Sequence, residues 1–192
     1  MAKTNQAMLS YTPTVLNTAT EGLDGGSTWG FGSRSDDYVL ASRRNNTYSY
    51  CGLAGGAESW AWTGNRFLMG GSSSYPAYVD FAGWAKAEMV TAMGSTSSSA
   101  DFTVRGRVYD VTSSTWIGDV TIYNVSATNG QTKTPGGNYA NSCLVSFQGG
   151  HTYVVLVETE VGVSHYGVGS TLSHSNTTPF HTYWNTITLR WQ

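Results

Sequence analysis

The side chains with the most evident chemistry are four histidines, His151, His165, His174 and His181, and a scatter of carboxylates. A zinc site needs several such groups converging, and the histidine spacing fits none of the recurrent ligand patterns. A glycosidase needs two carboxyl groups held at a set separation across the scissile bond. Asp24, Asp36, Asp37, Asp80, Asp101, Asp110, Asp119, Glu158 and Glu160 are available, but nothing in their spacing selects a pair. Glu158 and Glu160 share one face of an extended segment, as residues on a solvated strand face do. Leu23-Asp24-Gly25-Gly26 and Asp36-Asp37 offer oxygens of the type calcium takes, without EF-hand spacing. There is no Gly-x-Ser-x-Gly elbow, and no glycine run ends in the Gly-Lys-[Ser/Thr] of a phosphate loop. The expectation is a protein with no catalytic residue, no metal and no cofactor, and so not an enzyme.

Aromatic residues are the stronger candidates. The chain has 7 Trp and 12 Tyr. Trp60 and Trp62 fall on one face if residues 59–63 are extended, Tyr48 and Tyr50 do likewise, and Trp84 falls on the polar face of an alternating run. Such rings fill a core, anchor a protein interface, or stack on the apolar C–H faces of sugars. Trp60, Trp62 and Trp84 form the candidate aromatic binding surface.

The elements that must position these residues are strands. In Ala77–Thr91, Val79, Phe81, Ala85, Ala87 and Met89 share one parity, and Tyr78, Asp80, Trp84, Lys86 and Glu88 share the other. Period two with one apolar face marks a half-buried strand. Asp101–Val111 repeats the pattern with Phe102, Val104 and Val108 inward. Further runs follow at Ile117–Val125, Ser142–Gln148, His151–Val161 and Phe180–Trp191. Val154-Val155-Leu156-Val157 is apolar on both faces, which suits a central strand. Gly149-Gly150 reads as a two-residue hairpin. Val79, Phe81, Met89, Phe102, Val104, Val108, Val155 and Val157 are the expected core.

Residues 1–76 read differently, because glycine interrupts every run. They are expected to form an N-terminal arm and loop region with short strands at Tyr38–Ala41, Trp60–Thr63 and Arg66–Met69. Residues 77–192 are expected to form the domain: an all-β, antiparallel two-sheet sandwich of jelly-roll or Ig-like type. Met8, Leu9, Tyr11, Val15 and Leu16 have no evident local core, so they are read as contacts to neighbouring chains.

Composition narrows the function. Charged residues make up 11%, Ser and Thr a quarter, and the net charge is -2. With no basic surplus, nucleic acid is not expected as a partner, and no apolar stretch is long enough for a membrane span. Cys51 and Cys143 are too few for a disulfide scaffold and read as semi-buried thiols, with pairing left open. Low-charge, Ser/Thr- and aromatic-rich chains work mostly outside the cytoplasm. Yet the longest apolar start is Ala7-Met8-Leu9, short of an export signal. A virion protein, assembled in a host cytoplasm and released by lysis, reconciles the two.

Residues Ala100 to Asp110, with the sequence Ala-Asp-Phe-Thr-Val-Arg-Gly-Arg-Val-Tyr-Asp, are followed by Gly149-Gly150-His151-Thr152-Tyr153-Val154-Val155-Leu156-Val157. Over residues 77–192 this resembles the β-sandwich modules of tailed-phage head-decoration proteins and of prokaryotic surface and filament proteins. The resemblance implies a jelly-roll or Ig-like topology with an assembly or adhesion role, and brings no catalytic residue. The leading expectation is a capsid decoration subunit, a homo-oligomer whose partners are the major capsid protein or its own copies. The alternatives are an extracellular or cell-surface filament subunit that donates a strand, and a carbohydrate-binding module whose partner is a host-surface glycan.

Overall fold

The computed structural model describes residues 12–93 and 97–192. The chain is all-β, with strands β1 (Thr14–Leu16), β2 (Glu21–Val39), β3 (Arg44–Leu68), β4 (Ser74–Lys86), β5 (Glu88–Val90), β6 (Ser97–Asp110), β7 (Thr115–Thr128), β8 (Thr132–Lys133), β9 (Gly136–Gln148), β10 (Thr152–Thr177) and β11 (Phe180–Trp191). The described pairings are antiparallel, and among the described residues no helix is long and apolar enough to cross a membrane.

Two layers form because three long strands bend together. Residues 21–30 of β2 pair with β3, residues 54–68 of β3 with residues 152–166 of β10, and β10 in turn with β6, which pairs with β7. This is the first sheet. Register then slips between Gly30 and Gly32 and between Tyr166 and Ser170. The backbone turns through left-handed conformations at Gly30 (φ 60°) and Leu53 (φ 61°); glycine takes this at little cost, whereas leucine pays a steric penalty. Beyond the bend, residues 32–39, 44–52 and 170–175 of the same strands enter a second sheet with β11, β4, β5, β8 and β9. The far edge is sealed where Asn141 Nδ2 donates to the Thr121 carbonyl at 3.0 Å, joining β9 to β7. The result is an antiparallel sandwich that is nearly a closed barrel.

The interior has two parts. All eight residues expected in the core are fully buried. Phe81 of the second sheet lies on Gly106 of the first, where an added Cβ would meet its ring at 2.4 Å. On the β3 side the interior is small and polar. Asn45 Nδ2 donates to the Val157 carbonyl at 2.8 Å, Thr63 Oγ1 donates to Asn45 Oδ1 at 3.0 Å, and Ser49 Oγ donates to the Val161 carbonyl at 3.1 Å. Polar groups withdrawn from water are tolerated because they are paired.

Two expectations meet a different outcome. Gly149-Gly150 is not a hairpin, since β9 pairs with β4 while β10 pairs with β3 and β6. It is a tight crossing between sheets, tied down by bonds from the Gly149 and Gly150 amides to the Ser73 and Met69 carbonyls. Residues 44–68, within the stretch read as loop-rich, form a 25-residue strand between β2 and β10. Its inward positions are Ser59, Ala61 and Thr63 rather than large apolar residues, so the usual alternation signal is muted.

Candidate functional site

The outward face of the first sheet is built by the alternate residues of the strands that form the core. Trp60 and Trp62 of β3 both point outward and are half-buried. Across β2, Trp60 faces Gly25 and Trp62 faces Leu23. A Cβ at Gly25 would sit 2.6 Å from Trp60 Cζ2, so the indole lies across the glycine. The arrangement recurs in reverse: Trp29 of β2 faces Gly56 of β3, where an added Cβ would sit 2.5 Å from Trp29 Nε1. Trp29 remains 48% exposed and its ring packs 5.5 Å from that of Tyr166. Four strand positions and one strand separate the two indoles, about 14 Å from the spacing of extended chains. Each glycine removes the side chain that would otherwise lift the ring, which leaves two indoles seated on the sheet.

Hollows flank the tryptophans. One, of about 390 Å³, is lined by Trp29, Glu58, Asp101, Thr103, Asn124, Glu160 and Ser164, among others. Burial pushes the Glu160 carboxyl above its ordinary value and the negative charge of Glu58 adds to this; Arg105 opposes it, and Glu158 and Asp101 push further up. The other hollow, of about 290 Å³, is mainly apolar and is lined by Leu23, Trp62, Tyr109, Trp116, Val154 and Leu156 with Arg66 beside them. Tyr109 and Trp116 pack with ring centroids 4.9 Å apart, and the Arg107 guanidinium lies 3.7 Å from the Trp116 ring centroid. Arg107 also forms ion pairs with Asp119 and Glu158, both at 3.1 Å. These contacts hold the rings in place.

The other sequence candidates lie elsewhere. Trp84 sits on the outward face of the second sheet, between Tyr183 and Asn138 across the ladder, away from Trp60 and Trp62. Met8, Leu9 and Tyr11 lie outside the described residues. Val15 and Leu16 are in β1, paired with Thr188 and Ile187 of β11; Val15 is exposed and Leu16 packs against the core. The segment that follows is stitched to the sandwich by Asn65 Nδ2 donating to the Thr18 carbonyl at 2.9 Å.

The histidines do not converge. His151 bonds Asp110 at 2.7 Å, His174 meets Glu88 at 3.0 Å, His165 is buried near Thr171, and His181 stacks on Tyr183. Among the described residues, no group of three or more His, Cys, Asp or Glu is placed to hold a metal. Asp24 has its carboxyl raised by burial, then by the hydrogen bond and charge of Asp36 and the charge of Asp37, with Arg34 opposing; Arg34 and Asp36 form an ion pair. Cys51 is buried and Cys143 half-buried, both as free thiols. Burial pushes Cys143 up to about 11, with the charges of Asp119 and Asp80 adding to it.

Sequence reasoning passed over Trp29, Trp116 and the two glycines. Their meaning lies in cross-strand register, which a single strand's pattern does not display.

No family model matches the chain, and no curated protein matches it significantly. Solved structures similar to it include one described as the structural basis for the promiscuous specificity of carbohydrate-binding modules from the β-sandwich superfamily (8% identity over 91% of this chain, TM-score 0.28). Another is the Clostridium thermocellum endo-1,4-β-D-xylanase 10B CBM22-1–GH10 modules complexed with xylohexaose (8% identity over 95% of this chain, TM-score 0.23). A third is infectious bursal disease virus, Gt strain (10% identity over 94% of this chain, TM-score 0.25). This chain spans 56%, 28% and 42% of those chains respectively. The likeness is a loose β-sandwich resemblance.

Proposed function

We propose that the chain is a non-catalytic glycan-binding β-sandwich that takes saccharide chains along the outward face of its first sheet. The observation that carries this reading is the pair of indoles, Trp60 and Trp29, each laid across a glycine of the neighbouring strand. Rings held open in this way offer apolar faces to sugar C–H groups without first having to be ordered, which lowers the entropic cost of binding. Hydroxyls meet the polar side chains of the adjoining hollow: Glu58, Thr103, Asn124 and Ser164. Concave surfaces that combine aromatic rings with a few polar groups are the usual form of a small-ligand site. Affinity electrophoresis through gels containing β-glucan, xylan, mannan, galactan or chitin tests it. Retardation by at least one polysaccharide, lost in a Trp60→Ala/Trp62→Ala variant, is the expected result. Equal mobility in every gel contradicts it.

A second reading, a virion subunit contacting its own copies or a major capsid protein, draws on a different feature. At the bend, Phe31, Leu53 and Val168 are 65%, 54% and 84% exposed beside the Trp29–Tyr166 pair. Clustered apolar exposure of this kind marks contact surfaces. Sedimentation velocity of the wild type and of Phe31→Ser/Val168→Ser tests it. Self-association that the variant weakens supports the reading, and a wild-type monomer at high concentration contradicts it.

A further inference from the structure

We propose that this face selects uncharged saccharide chains and rejects anionic ones; the inference rests on the glycan-binding reading. Its ground is the distribution of charge among the strands that make the face. Glu58 of β3, Glu160 of β10 and Asp101 of β6 line the larger hollow, and among the described residues no cationic side chain joins them there. Glu158 and Asp119 also face outward, but they are engaged with Arg107. Arg105, opposite Glu158 in the ladder, already directs its attraction at Glu160, and Arg66 at the far end of the face is paired with Glu21. Of the outward residues of β2, Leu23, Gly25, Ser27 and Trp29 are uncharged, and Glu21 is neutralised by its ion pair with Arg66. Six carboxylates, Glu21 among them, thus face three guanidiniums, on a chain whose overall net charge is only -2.

A uronate, sialate or sulfate on a bound chain would bring its negative charge against Glu58, Asp101 and Glu160 in a partly desolvated hollow. Like charges brought together there act as a device against the wrong ligand. A neutral chain instead meets carboxylate acceptors suited to its hydroxyls. Specificity therefore resides in the carboxylates and affinity in the tryptophans, which makes the two separable by substitution.

The test uses matched hexasaccharides: gluco- against glucurono-, manno- against mannurono-, and galacto- against galacturono-oligomers, titrated calorimetrically at low salt into the full chain. The neutral member that binds is expected to do so at least about tenfold more tightly than its uronate partner. Glu58→Gln/Glu160→Gln is expected to narrow that ratio by about tenfold, and raised salt is expected to narrow it in the wild type. Trp60→Ala/Trp62→Ala is expected to abolish binding of both. A wild-type ratio near one, or a ratio unchanged in Glu58→Gln/Glu160→Gln, overturns the selectivity while leaving glycan binding intact. Failure of every neutral oligomer to bind overturns the glycan reading, and the selectivity with it.

Discussion

The two faces of the first sheet use alternate residues of the same strands for opposite ends. Inward, β6 presents Phe102, Val104 and Val108 and β10 presents Val155, Val157 and Val161, all fully buried. Outward, the intervening residues of β3, β10 and β6 include Trp60, Trp62, Glu158, Glu160, Arg105 and Arg107, none of them fully buried. Large aromatics thus sit on the solvent side of β3, over a layer of Ser, Ala and Thr. A protein built for stability alone would place them the other way, because burying a large apolar side chain is the dominant favourable term in folding. If the outward face binds glycans as proposed, the inversion separates stability from recognition, and substitutions on the two faces should have different readouts.

The largest effect is expected inward. Phe102→Ala should lower unfolding stability by about 3–5 kcal/mol in denaturant titration, with glycan binding retained by the fraction that stays folded. A loss below about 1 kcal/mol would mean that the site collapses around the deletion. Next comes the polar interior. Asn45→Ala should cost about 1–3 kcal/mol, because the Val157 carbonyl and Thr63 hydroxyl each lose a buried partner. A neutral result would mean water takes its place.

Smaller still is a pH effect at the sheet end. Burial pushes the Asp110 carboxyl up, but the His151 hydrogen bond, bonds from Ser113 and the charge of His151 outweigh it and leave the carboxyl below its ordinary value. A carboxyl depressed in the folded state contributes stability that is fully present above its unfolded value and is lost as pH falls through the folded one. Asp110→Asn should therefore narrow its stability deficit as pH falls through the acid range; a deficit constant with pH would contradict this. Glu160 carries the opposite sign. Its raised carboxyl favours the folded state only when protonated, a contribution lost as pH rises through the folded value. Glu160→Gln should raise the melting temperature slightly near neutrality and have no such effect at low pH. Trp60→Ala/Trp62→Ala should cost less stability per residue than Phe102→Ala, because both indoles are only half-buried.

Legibility in the sequence followed the chemistry of the inward face. Where inward residues are large and apolar, as in β4 and β6, period two is plain, and the burial of Val79, Phe81, Phe102, Val104 and Val108 could be read in advance. Where they are small and polar, as in β3, the alternation of Ser59, Ala61 and Thr63 with Trp60 and Trp62 resembles a loop punctuated by aromatics. The outward pointing of Trp60 and Trp62 was legible from parity. Their support by Gly25, the converse pairing of Trp29 with Gly56, and the approach of Trp116 to Tyr109 were not, because each depends on which strands become neighbours. Trp84 has the same outward parity as the others but belongs to the opposite sheet, a distinction that topology makes and parity cannot.

The binding face can be located by recording the indole N–H resonances of the seven tryptophans, assigned by single substitution, while titrating the oligosaccharide that binds best. Trp60, Trp62 and Trp29 are expected to shift progressively and saturably, Trp84 and the buried Trp184 to stay in place, and Gly25→Ala, by lifting the Trp60 ring, to weaken binding. Shifts confined to Trp84, or no shift with any saccharide, would contradict the reading of this face.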